Sequence, residues 1–148
     1  MKNIESFNIA VAEVFGKCYQ AFPIRIDVSV IEVGEAIQEA LDPGCGDDID
    51  MRNSEYDIAR ASINWLIESG YLWHRNATHI SFNAVTLSPK GLEVLNAIPK
   101  ELQIKTTLGE ELSKGVKEIG KDAALSFVKT TLSYGAKLVL GAKQVGQE

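Results

Sequence analysis

The sequence has few cysteines and no long apolar run near its C-terminus, and each shortage excludes a class of protein. Cys18 and Cys45 stand far apart with no CxxC pair, which argues against a disulfide framework and against a zinc ribbon. In the last third of the chain the longest uncharged stretch is Thr130 to Ala136, far shorter than the roughly 20 residues of a membrane-spanning helix. The first residues lack the basic and apolar pattern of a signal peptide. We therefore expect reduced thiols and a cytoplasmic location.

Positive charge is also scarce where a nucleic-acid-binding protein needs it. The chain of 148 residues has 15 basic and 20 acidic side chains and a formal net charge of −5. Residues 1–22 are neutral, residues 23–100 carry −6, and residues 101–148 carry +1. The acidic middle segment weakens a DNA-binding interpretation without excluding it, because a local basic face can persist on an acidic protein.

The first forty residues predict a helix, a short strand and a second helix. A helix is expected from Asn3 to Phe22, ended by Pro23. The run IRIDV then suits a strand, after which Asp27 or Ser29 can cap a helix from about Val30 to Leu41. The apolar stripe of the first helix consists of Ile4, Phe7, Val11, Val14, Phe15 and Cys18.

The stretch from Glu55 to Leu72 predicts a third helix that runs into a hairpin. Its apolar residues recur at helical spacing, Asn53 or Ser54 can cap it, and Gly70 supplies the stop. Two strands follow, Tyr71 to Arg75 and Ile80 to Ser88, and the broken alternation between Phe82 and Val85 predicts a bulge. A short helix is expected after Pro89, over Lys90 to Ala97.

This order of elements resembles the winged helix-turn-helix superfamily. The resemblance lies in INWLIESGYL, similar to the end of a recognition helix with the first wing strand, and in VTLSPKGLEVL, similar to the second wing strand and the next helix. It covers about Ile24 to Pro99. It implies a mainly α protein with a small β-sheet (α+β): a winged-helix domain over 1–100 and an amphipathic helical extension over 101–148. The loop from Asp42 to Arg52 is longer than the family's usual turn.

If the domain binds double-stranded DNA as the resemblance implies, the exposed positions of the third helix enter the major groove. The carried-over positions on the helix are Tyr56, Arg60, Ala61 and Asn64, and Arg75 and His79 belong to the wing. Arg60 suits guanine and Asn64 suits adenine, whereas Arg75 suits a phosphate. The alternative is a protein-protein interaction module with an acidic face, because acids accompany Arg60 on the same helix.

The sequence gives little support for a catalytic site or a metal site. Cys18 lies on the apolar stripe of the first helix, where a thiol usually packs rather than reacts. His74 and His79 with the acids of the loop after Leu41 could form a metal site in principle, but two histidines on a wing are usually surface residues. We expect no catalytic residues, no metal and no cofactor, and therefore no enzyme.

The C-terminal segment predicts one or two amphipathic helices, broken or bent near Gly115, Gly120 or Gly135. It could lie on a membrane, but its near-neutral charge weakens that interpretation. It could instead cover the domain or pair with a second copy. We favour the latter two, and expect a homodimer formed through terminal helices.

Overall fold

The structure is a computed structural model that describes residues 2–41 and 54–146, with side chains over 3–41 and 55–138. Most of the described chain is helical, and four short strands form a small antiparallel sheet. The α+β class predicted from the sequence is therefore confirmed. The elements are α1 (Lys2–Ala21), β1 (Ile26–Ser29), α2 (Val30–Leu41), α3 (Ser54–Glu68), β2 (Leu72–Trp73), β3 (Asn76–Ala77), β4 (Ser81–Leu87), α4 (Pro89–Leu95), α5 (Leu108–Ser113), α6 (Val116–Ile119) and α7 (Lys121–Gly146).

The first helix, α1, forms the centre of the molecule. It packs against α2, α3, α5 and α7, so that it is enclosed on nearly every side. From Asn8 to Cys18 every residue of α1 is buried except Glu13 and Lys17, which are partly buried. The predicted stripe is buried or partly buried from Phe7 to Cys18, whereas Ile4 in the first turn is exposed. The most deeply buried α1 residues are Ile9, Ala10, Val11, Val14 and Phe15.

The segment after α1 forms the predicted strand and helix. Ser29 caps α2, because its Oγ accepts the backbone N–H of Glu32 at 3.2 Å. Asp27, the other predicted cap, is used elsewhere: its carboxylate accepts the backbone N–H of Ala84 at 3.0 Å. The loop predicted over Asp42 to Asp48 lies outside the described residues.

The sheet is built around β4. This strand pairs antiparallel with β1 on one side and with β2 and β3 on the other. Ile26 is opposite Val85 and Val28 is opposite Phe82, so that β4 has one more residue than β1 between the two pairs. The predicted bulge is therefore confirmed. Ala84 within it takes the left-handed conformation, with φ of 56°.

The end of α3 and the turn into β2 follow the predicted glycine signal. Gly70 has φ of 86°, its N–H donates to the carbonyl of Ile67, and the N–H of Tyr71 donates to the carbonyl of Leu66. These two bonds form a Schellman motif, which satisfies the last carbonyls of α3. Ser88 then caps α4 by accepting the N–H of Gly91 at 3.1 Å.

The C-terminal segment packs onto the rest of the molecule, since α5 and α7 both contact α1. Thr107 and Glu110 form a capping box at the start of α5. Gly115 and Gly120, with φ of 92° and 91°, separate the helices as predicted. Gly135, the third glycine named as an alternative, lies within α7, and its missing side chain leaves room for the Tyr71 hydroxyl.

Candidate recognition surface

One face of α3 is open to solvent. Its opposite face is buried through Ala59, Ile63 and Leu66, at the three-to-four-residue spacing of an amphipathic helix. The exposed residues of α3 are Asp57, Arg60, Ala61, Asn64, Trp65 and Glu68. Two of the predicted contact residues, Arg60 and Asn64, are therefore accessible to a partner.

Arg60 joins this face to the hairpin between β2 and β4. Its Nη2 lies 3.5 Å from the carbonyl oxygen of Thr78, a long hydrogen bond, and its Cζ lies 5.7 Å from the centroid of the Phe82 ring. Arg75 and His79 are exposed in the same hairpin, on either side of β3. The contact between Arg60 and Thr78 joins α3 to the hairpin. We use the name recognition surface for the four exposed residues predicted on these two elements: Arg60, Asn64, Arg75 and His79.

Acidic side chains share this surface. The Asn64 amide donates to the Glu68 carboxylate at 2.9 Å, so that one acid is fixed beside a predicted base-reading group. Asp57 lies one turn before Arg60 on the exposed face. Counting Asp57 and Glu68 with Arg60 and Arg75 gives no net charge, whereas DNA-binding interfaces are usually strongly positive.

Tyr56 is not on this surface, and its assignment as an exposed contact was wrong. It is only 3% exposed, because its ring packs against Gly34 of α2: a Cβ on Gly34 would lie 2.5 Å from Tyr56 Cδ1. Tyr56 belongs to the same helical side as Ala59 and Ile63. Burial, with the nearby carboxylates of Glu35 and Glu55, raises the pKa of its hydroxyl. That hydroxyl has no hydrogen-bond partner in the described part of the chain.

Trp65 both packs and remains exposed. Its ring meets Phe7 of α1 edge-on at 5.2 Å and stacks with Tyr71 at 6.3 Å, while 43% of the residue is accessible. It therefore fixes the end of α3 against α1. Aromatic pairs of this kind stabilise a fold by about 0.5–1.5 kcal/mol beyond the area that they bury.

Arg25 has a role that the sequence reasoning missed. Its Nη1 donates to the carbonyl of Ala84 at 2.7 Å, while the carboxylate of Asp27 accepts the N–H of the same residue. The two side chains thus hold the β4 bulge and shape the sheet beside the hairpin. The signal was present in the run IRIDV, where the two charged residues alternate with apolar ones, but their partner lies more than fifty residues further along the chain.

Cys18 packs in the core, as its place on the apolar stripe predicted. It is 1% exposed, and burial raises the pKa of its thiol to about 12, so that it is protonated at neutral pH. His74 lies near the Phe82 ring, at 6.0 Å between centroids, and His79 is exposed. Within the described ranges, no three His, Cys, Asp or Glu side chains gather into a metal-binding group; the acids of the 42–53 segment lie outside those ranges.

Two further findings concern membrane-spanning helices and known relatives. Across the described residues, none of the helices has the length and apolar character needed to cross a membrane. The chain matches no protein-family model, no curated protein and no solved structure.

Proposed function

We propose that residues 24–99 form a winged helix-turn-helix domain, and that the protein is a DNA-binding transcriptional regulator. The winged-helix assignment is supported by the order strand, helix, helix and hairpin, and by the central place of β4 between β1 and β2. It is supported further by the Schellman turn at Gly70, which directs the chain from α3 straight into the hairpin.

The observation that carries the DNA proposal is the contact between Arg60 and the carbonyl of Thr78. It places the exposed face of α3 beside the hairpin, so that a duplex lying along α3 would meet both. In this arrangement Arg60 and Asn64 read base edges in the major groove, while Arg75 and His79 contact the backbone. Tyr56 takes no part, because it is buried.

The charge of the recognition surface sets the strength of this binding. Each phosphate contact by a cation contributes a slope of about −0.9 to the dependence of log K on log salt concentration. Because Arg75 is the full positive charge proposed to contact a phosphate, one domain should give a slope of about −1, much shallower than that of a strongly basic DNA-binding protein. Asp57 and Glu68 lower the affinity further through repulsion of the backbone.

The test is fluorescence anisotropy of random-sequence duplex DNA with the full chain at about 50 and 200 mM salt. Binding that weakens with salt supports the proposal. The double variant Asp57→Asn with Glu68→Gln, which neutralises two acids, should bind DNA more strongly. Glu118→Gln on α6, away from the surface, removes one negative charge and should have a smaller effect than Glu68→Gln alone, which also removes one. Absence of binding at low salt, in the parent and in the neutralised variant alike, would contradict the proposal.

A second candidate is a protein-protein interaction module that uses the same surface. The observation that favours it is the bond between Asn64 and Glu68, because an amide already paired with a carboxylate must leave it before pairing with adenine. A protein partner with its own cations can instead bind the mixed surface directly. In that case the acid-neutralising variants would not bind DNA.

We also propose a cytoplasmic homodimer. Because α1 is enclosed by its neighbours, its faces are not available to a second copy, and α7 is the terminal helix that remains. Light scattering of the purified chain measures the mass directly. A monomer at micromolar concentration would contradict the dimer without affecting the winged-helix assignment.

A further inference from the structure

A cleft of about 410 Å³ opens beside the sheet, between the end of α1 and the start of α4. None of its lining residues belongs to the recognition surface, so that it is a separate feature of the molecule. Its volume lies within the range of about 300–1,000 Å³ typical of small-molecule sites. The residues that matter for its chemistry are Phe22, Pro23, Arg25, Trp73, Thr86 and Leu92.

The strand register explains why a cleft forms here. Trp73 is opposite Thr86 in the pairing of β2 with β4, and Ile26 is opposite Val85, which brings Arg25 beside Thr86 on the other side of β4. Side chains opposite one another in an antiparallel pair share a face of the sheet. Arg25, Thr86 and Trp73 therefore form a row across three strands, on the face opposite Val85 and the core.

The dimensions of this row suit a flat ligand. Arg25 and Trp73 lie two strand spacings apart, about 9.5 Å between backbones. The residue between them, Thr86, lines the cleft, and its short side chain leaves more room than a long one would. An aromatic ring stacks on a neighbour within roughly 4.5–7 Å between centroids, and a single planar group can therefore fill the gap.

The lining residues also determine which kind of ligand the cleft can bind. Two aromatic residues leave large surfaces open at this cleft, since Phe22 is 37% and Trp73 52% exposed. Of the described residues that line it, Arg25 is the one with a formal charge. Its Nη1 donates to the carbonyl of Ala84, and its remaining guanidinium N–H groups can form charge-assisted hydrogen bonds with a carboxylate, whereas its charge repels a cation. In addition, the Thr86 hydroxyl below the gap has no hydrogen-bond partner among the described residues.

From the geometry and charge of this cleft we infer that it binds a small planar aromatic carboxylate. The ring stacks on Trp73, with Phe22 in the same lining, and the carboxylate pairs with Arg25. The inference does not depend on whether the recognition surface binds DNA, because the two sites share no residue.

Naphthoate is a suitable probe, and the two tryptophans provide the readout. Their indole N–H signals in a proton–nitrogen correlation spectrum are assigned with the variants Trp65→Phe and Trp73→Phe. Naphthoate added to the full chain should shift the Trp73 signal saturably and leave the Trp65 signal in place. Naphthylmethylamine, with the same ring and the opposite charge, should bind at least about tenfold more weakly, and naphthylmethanol should lie between them.

Variants of the cleft complete the test. Arg25→Gln should weaken naphthoate binding about tenfold and remove the preference for the anion, while Arg25→Lys should keep the preference. Because Arg25 also supports the bulge, the comparison of the three probes on the unaltered protein stands independently of how these variants fold. An unshifted Trp73 signal at millimolar naphthoate, or equal affinity for the acid and the amine, would overturn the inference.

Discussion

The carboxylate of Asp27 accepts the backbone N–H of Ala84 at 3.0 Å, and Arg25 donates to the carbonyl of the same residue at 2.7 Å. Ala84 is one of few non-glycine residues with positive φ in the described chain, at 56°. Both polar groups of its backbone are therefore satisfied by side chains from the segment around Ile26. This arrangement stabilises the bulge that lets β4 pair with β1 on one side and with β2 and β3 on the other.

Removing the carboxylate should destabilise this bulge. We expect Asp27→Ala to lower the free energy of unfolding by about 1–2 kcal/mol, because the N–H of Ala84 loses its acceptor. Asp27→Asn keeps an acceptor oxygen at the same place and should cost less. Urea denaturation of the three proteins checks this order. Equal stability of the alanine and asparagine variants would show that the bond contributes nothing.

Gly16 allows α1 and α5 to approach closely. A Cβ at this position would lie 2.3 Å from the carbonyl oxygen of Leu112, which is backbone and cannot rotate away. We expect Gly16→Ala to destabilise the protein by about 1–3 kcal/mol despite the better helix propensity of alanine. Gly34→Ala meets the buried ring of Tyr56, whose Cδ1 would lie 2.5 Å from the new Cβ, and should destabilise the protein as well. Thermal denaturation measures the stability of both variants. A Gly16→Ala variant more stable than the parent protein would contradict the close contact between α1 and α5.

A variant of Tyr56 tests whether this residue lies outside the recognition surface. Tyr56→Phe removes a buried hydroxyl that lacks a partner among the described residues, so stability should stay the same or rise by up to about 1 kcal/mol. DNA affinity should not change, because the hydroxyl does not reach the surface. A loss of DNA affinity without a loss of stability would return Tyr56 to the recognition surface.

Arg60 and Arg75 should differ in what they contribute to DNA binding. Arg60→Ala removes a base-reading group and should cost about 1–3 kcal/mol on the preferred sequence while relaxing base preference. Arg75→Ala removes a phosphate contact and should weaken binding to all sequences alike, with a salt slope shallower by about 1. Anisotropy on a selected and a scrambled duplex separates the two. Equal losses on both duplexes for both variants would contradict this division.

Glu111 should make part of the stability depend on pH. Its pKa lies below the ordinary value of 4.5, chiefly because the Thr106 hydroxyl donates to its carboxylate and also through Lys114. A lowered native pKa gives stability that is present above the ordinary value and lost as pH falls through the native one. Thr106→Val should raise the pKa, whereas Thr106→Ser keeps the hydroxyl and should not. Carbon NMR titration of the Glu111 carboxyl measures it, and identical titration of the two variants would contradict the role of Thr106.

The sequence predicted those features whose signals are local. The end of α3 was predictable because Gly70 can adopt positive φ, and the bulge because Phe82 and Val85 break a two-residue alternation. Tyr56 was placed on the wrong side of α3 because its partner, Gly34, belongs to a different helix. At the first turn of a helix the apolar period alone leaves the phase ambiguous. The role of Gly135 could not be predicted for a related reason, since the contact that requires a glycine there comes from the distant Tyr71.

The recognition surface was partly predictable. Arg60, Asn64, Arg75 and His79 are exposed as the helical and hairpin patterns required. The hydrogen-bond partners of Arg60 and Asn64 could not be deduced, because the bonds to Thr78 and to Glu68 depend on side-chain rotamers. The cleft at Trp73 was not foreseen, because it requires the register of three strands.

The central position of α1 has a consequence for how the protein forms in the cell. This helix is synthesised before α5 and α7, which cover two of its sides. Its apolar surface is therefore exposed in the unfinished chain, accessible to chaperones and prone to aggregation, until α5 and α7 have been made. Contacts between such distant segments also slow folding. Ribosome-bound chains ending near residue 100 should accordingly be sensitive to proteases, whereas the released protein should be resistant.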